Sequence, residues 1–189
     1  MGTATSWIAI QGASLEEIER ELDVVPVRGD AGKIAHGDIA CEAAVLAGGW
    51  VLVVEPMKRN GNVADARRLA RLSRNRRLVA CDEESHVMYS GASEWRDGSE
   101  VWAVVHASEE ASDDLEVRGT PIDGWERIRD ELVAAQAQDG EVDYIYEIPL
   151  VIAQRVVGFR TGEDGLDAEF VALTRRGQRA SGKPWWKFW

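Results

Sequence analysis

Leu78-Val79-Ala80-Cys81-Asp82-Glu83-Glu84-Ser85-His86-Val87-Met88-Tyr89-Ser90-Gly91-Ala92-Ser93-Glu94-Trp95-Arg96-Asp97-Gly98-Ser99-Glu100-Val101-Trp102-Ala103-Val104-Val105-His106 is the stretch that decides the fold. Leu78–Asp82, His86–Trp95 and Ser99–His106 read as three strands, and Arg96-Asp97-Gly98 supplies the tight turn between the last two. Sequential strands with such short links pair as an antiparallel meander. A two-residue turn at Asp97-Gly98 sets His106 opposite Tyr89 and Trp102 opposite Ser93. His86 then points to the other face from Tyr89, unless a bulge at Gly91 resets the register.

Working outward, Thr5–Gln11 reads as a first strand. Ser14 with Glu17 three residues on forms a capping box, and Leu15, Ile18 and Leu22 make the stripe of a helix that ends near Asp23. Residues 26–37 are polar and Gly-rich, a loop. Ile39–Leu46 and Trp50–Glu55 read as strands joined at Gly48-Gly49. Val51-Leu52-Val53-Val54 is apolar on both faces, as a central, covered strand requires. Asn60-Gly61 marks a turn, and a helix follows over Val63–Arg74. Beyond the meander, Leu115–Arg118 suits a fourth strand. Asp123 caps a helix over Trp125–Gln138, Pro149–Val156 is a short helix with proline in its first turn, and Phe170–Thr174 is a last strand. Together these predict one α+β domain over residues 1–174: a largely antiparallel meander sheet, three to four flanking helices, and an aromatic tail reached through a basic linker at 175–189.

The 189 residues carry a net charge of −11, distributed unevenly. Residues 51–80 are net +6 and residues 81–150 net −15. An acidic body repels nucleic-acid phosphates and attracts basic proteins. Cys41 and Cys81 lie in apolar contexts, as reduced, buried thiols of a cytoplasmic protein do. There is no signal-peptide pattern and no apolar run long enough for a transmembrane helix. Arginine outnumbers lysine, and alanine, glycine and valine abound, a bacterial compositional habit.

No nucleophile elbow, phosphate loop or dinucleotide fingerprint is present, and no cofactor or metal is implied. Three candidate surfaces stand out. The acidic block, with Asp82, Glu83, Glu84, Asp113 and Asp114, suits a basic protein partner. Arg67, Arg71 and Arg74 line one helix face and could hold phosphates, although a row that is solvated, or neutralised by the acidic meander, is the better account. The tail Lys183-Pro184-Trp185-Trp186-Lys187-Phe188-Trp189 has the Trp/Lys composition of a docking anchor, on this chain, an oligomer mate or a partner. It equally suits a membrane surface. An enzymatic alternative groups Glu84, His86, Tyr89 and His106. A further alternative makes the domain a leader that presents its C-terminal peptide for modification.

Gly49–Glu55, Glu84–Ser90 with Trp95 and Val101-Trp102, and Asp143–Leu150 together resemble uncharacterised single-domain bacterial proteins and, through them, the immunity proteins of toxin systems. The likeness spans most of residues 5–173. It implies a non-enzymatic binder that plugs a basic toxin, and it carries no catalytic residues.

Overall fold

The structure, a computed structural model, describes residues 4–27, 39–56, 63–108, 114–139, 142–163 and 166–177. Among the described residues nine strands form one sheet in which every pairing is antiparallel. They are β1 Ala4–Gln11, β2 Val24–Pro26, β3 Cys41–Leu46, β4 Trp50–Pro56, β5 Arg77–Glu84, β6 Tyr89–Arg96, β7 Ser99–Ala107, β8 Glu116–Gly119 and β9 Val171–Arg175. Their order across the sheet is β2-β9-β3-β4-β1-β5-β6-β7-β8. The helices are α1 Leu15–Leu22, α2 Ala66–Leu72, α3 Trp125–Gln138 and α4 Glu147–Val157. The fold is α+β, with helices on both faces of the sheet.

Alternation along the strands builds two cores, because successive side chains of a strand point to opposite faces. On β1, Trp7 and Ala9 join Leu52, Val79, Cys81, Trp102 and Val104 under α3 and α4. Ile8 and Ile10 join Val51, Val53, Leu78 and Leu173 under α1 and α2. Trp7 meets Phe159 edge-on at 5.4 Å between ring centroids, the geometry an aromatic quadrupole favours. β4 is an interior strand with Val51, Leu52 and Val53 all buried, as its two-sided apolar sequence requires.

The local chemistry of α1 is as read. Ser14 Oγ accepts from the Glu17 amide at 3.2 Å, and the Glu17 carboxylate accepts from the Ser14 amide at 2.9 Å. Ser14→Ala should therefore lower stability by about 1 kcal/mol, the usual loss for an N-cap. Thermal unfolding checks this, with Ser14→Asp as the variant that retains the cap.

Several details depart from the sequence reading. α2 is shorter than Val63–Arg74, because Asp65 caps it by accepting from the Arg67 and Arg68 amides at 3.1 and 3.2 Å. α3 has the expected span, but its cap is Gly124 in a left-handed conformation, φ 78°, with no side-chain bond from Asp123. His86 lies in the four-residue turn between β5 and β6 rather than on a strand. The β6–β7 register also shifts. Trp95 pairs with Glu100, yet Glu94 pairs with Trp102, leaving Val101 as a bulge. His106 consequently faces Ser90 and Trp102 faces Glu94. The bulge stands beside the turn, not at Gly91. β2 was not expected, and β9 enters the sheet between β2 and β3. The tail, the Asn60-Gly61 turn and Asp113 lie outside the described residues.

Candidate functional site

The bulge places His106 on the α3/α4 face, fully buried. Its Nδ1 lies 2.6 Å from the Asp114 carbonyl oxygen and its Nε2 lies 3.0 Å from Asp143 Oδ2. Both partners are acceptors. Full satisfaction therefore needs a proton on each ring nitrogen, or one on the Asp143 carboxyl. The other oxygen of Asp143 accepts from the Tyr146 amide at 3.1 Å. One ring thus ties β7 to the segment that precedes β8 and to the segment that links α3 to α4.

Those two segments are acidic. Residues 109–114 contain Glu109, Glu110, Asp113 and Asp114, and residues 139–143 contain Asp139, Glu141 and Asp143, with no Lys or Arg in either. His106 holds the segment ends Asp114 and Asp143 within hydrogen-bond distance of a single imidazole. It thereby brings together two acidic residues that lie 29 positions apart in the sequence.

The same end of the sheet holds a buried polar network. Ser90 Oγ donates to the Tyr146 carbonyl at 2.7 Å, and Tyr146 Oη donates to Glu83 Oε2 at 3.3 Å. Burial pushes the Glu83 carboxyl above its ordinary range, against the opposing pull of the Tyr146 hydroxyl and the Arg160 guanidinium. Burial also pushes the Tyr146 phenol up, reinforced by the Glu83 charge. Arg160 pairs with Glu147 at the start of α4.

Ser90, His106 and Asp143 share the residue types of a hydrolytic triad, but not its geometry. Both imidazole nitrogens are committed to acceptors, and Ser90 donates to a backbone carbonyl. A nucleophile needs a base facing its own proton. The thiols are no better placed: burial pushes Cys41 up to about 12 and Cys81 well above its ordinary value, which disfavours thiolate. No family model, curated protein or solved structure matches the chain.

The structure separates the residues grouped for the enzymatic alternative. Tyr89 lines a groove on the α1/α2 face, whereas His106 points to the α3/α4 face. Glu84 ends β5, and exposed His86 stands in the turn beyond it. Among the described residues no group of three or more His, Cys, Asp or Glu side chains is placed to hold a metal ion.

The acidic candidates divide in the same way. Glu83 is buried against Tyr146, while Asp82 is half-buried and accepts from Ser6 Oγ at 2.9 Å. Glu84 is half-buried, and Asp114 contributes its carbonyl to His106. Arg71 is held by Glu21 of α1 at 2.5 Å, and the neighbouring Arg76 by Glu17 at 2.9 Å. The Arg row is therefore countered chiefly by α1 rather than by the meander. Arg67 and Arg74 are exposed.

Sequence reading missed Glu94. It is buried on the α3/α4 face, where Arg77 grips it through two bonds of 3.0 and 2.8 Å. Arg96 adds a bond at 2.6 Å, and Trp102 Nε1 donates at 3.2 Å. Burial opposes ionisation of this carboxyl, but the two guanidiniums outweigh it and hold Glu94 below the ordinary carboxylate range. Arg77 also lies over the Trp50 ring, 5.6 Å from its centroid. One signal was available: Glu94 shares the inward face of β6 with Ser90 and Ala92.

Proposed function

We infer that this chain is a non-enzymatic protein-binding module of the immunity type, with an acidic surface that engages a basic protein partner. The observation that carries the reading is the His106 clamp, which holds Asp114 and Asp143, each the last residue of an acidic run in the sequence, on one imidazole. The buried Ser, His and Cys side chains nearby are enclosed or committed to internal partners, which suits a scaffold better than a reaction centre. α3 adds charge in the same part of the chain: Glu126, Asp130 and Glu131 against Arg127 and Arg129, with Asp123 just before it. Rim charges of this kind steer association and lose force as salt shortens the screening length, from about 10 Å at 0.1 M to about 3 Å at 1 M.

The test is retention of basic proteins on the immobilised chain. A basic protein should be retained at low salt and released at high salt. Retention should fall at least tenfold when Glu109, Glu110 and Asp113 are changed together to lysine. Retention that ignores both salt and charge reversal would remove the basis of the proposal.

A further inference from the structure

The α1/α2 face of the sheet is not covered along its whole width. Beyond α2, a groove of about 170 Å³ runs over β5–β8. Its floor includes the small residues Gly91, Ser93 and Ala103, and Tyr89 and Trp95 stand along it. Trp95 Nε1 donates to Ser93 Oγ at 3.0 Å, which fixes that indole against the floor. Asp82, Glu100 and Arg118 also line the groove, so its charged groups sum to a net negative.

We propose that residues 183–189 of the same chain, Lys183-Pro184-Trp185-Trp186-Lys187-Phe188-Trp189, dock in this groove. The inference goes beyond the partner-binding reading and does not rest on it. Three observations support it. The first is chemical fit: residues 178–189 contain three basic and no acidic residues, and four of the last five are aromatic. Indoles stack on aromatic neighbours and on small-residue floors, and lysines lie favourably over aromatic rings and near carboxylates.

The second is direction. One row of paired residues crosses the sheet from Val171 through Ala43, Val53, Ile8 and Ala80 to Ser93 and Ala103. From Val171 the chain runs to Arg175, toward the end of the sheet where β5 closes at Glu84 and β6 opens at Tyr89. The chain therefore leaves β9 at the end where Tyr89 opens the groove.

The third is reach. β9 and β6 are separated by β3, β4, β1 and β5. With neighbouring strands 4.7–4.9 Å apart, that span is about 24 Å. Trp185 stands eight positions after Gly177, and an extended chain of eight steps covers about 26–29 Å. On a direct path Trp185 comes level with β6, and the residues after it extend over the groove.

Two experiments test the docking. In the first, a synthetic peptide of residues 183–189 is titrated into the chain ending at Gly177 and into the full chain. Occupation of the groove by its own tail predicts binding to the shortened chain at least tenfold tighter than to the full chain. It also predicts at least a tenfold loss on the shortened chain carrying Ser93→Arg. Equal binding to both chains, or binding indifferent to Ser93→Arg, overturns the proposal.

The second uses the full chain and so does not require the shortened one to fold. Ser93→Cys is combined with Trp186→Cys and oxidised, the buried Cys41 and Cys81 serving as silent background. A crosslink within one chain is expected, with none when Val133→Cys, exposed on α3 at the opposite face, replaces Ser93→Cys. Crosslinks only between chains would assign the groove to a second copy and overturn docking within one chain. No crosslink, or an equal one to position 133, overturns it as well.

Discussion

Glu94→Ala should destabilise the protein by about 3–4 kcal/mol, the usual cost of removing one member of a buried ion pair. The carboxylate is buried and takes hydrogen bonds from Arg77, Arg96 and the Trp102 indole. Alanine would leave the Trp102 N–H without a partner inside the core, and Arg77 would keep only its contact with Trp50. Arg77 and Arg96 are partly exposed and can be rehydrated, so the loss should not exceed this range. Urea unfolding at neutral pH measures it.

The pH dependence supplies a second readout of the same site. The folded Glu94 carboxyl lies below its ordinary value of 4.5, so the folded state binds fewer protons than the unfolded chain. Its stabilising contribution is complete above about 4.5 and declines as pH falls through the folded value. Glu94→Gln should remove that part of the acid dependence. Glu83 acts in the opposite sense. Its carboxyl is raised from 4.5, so the folded state favours its proton, and stability from this group falls as pH rises above 4.5.

His106→Ala is expected to cost about 3 kcal/mol, combining a cavity under α3 and α4 with two half-buried acceptors left unmet. The effect should be localised. Hydrogen exchange should quicken at the Tyr146 amide, which Asp143 holds, and along β8, which follows Asp114. Amides of β1 and β4, remote from the clamp, should change only with global stability. Uniform acceleration across the sheet would show that His106 fills space without tying Asp114 to Asp143.

Much of the architecture was legible in the residues. Ser14 and Glu17 announced α1 through a local bond pattern that needs no tertiary context, and Asp97-Gly98 announced the β6–β7 turn. The α3 span followed from its Trp125, Ile128 and Leu132 stripe. What could not be read depends on long-range geometry. The bulge at Val101 has no residue-type signature, yet it moves Trp102 onto Glu94 and His106 onto Ser90. β2 is three residues long and includes Pro26, too short for an alternating pattern to register. The pairing of His106 with Asp143 bridges 37 positions that no helical or strand period connects. The candidate site was therefore visible as charge, with its organising imidazole unassigned.

β2 and β8 form the two margins of the sheet. β2 is three residues long and closes on a proline, and β8 is four residues long, with Arg118 clasped to Glu100 and Glu116. Brevity, an imino acid and paired charges all discourage a foreign backbone from adding itself as another rung. The molecule is thereby guarded against edge-to-edge growth into fibrils. In the proposed binding role, recognition falls instead to side chains on its faces and loops, where single substitutions retune it without disturbing the ladder beneath.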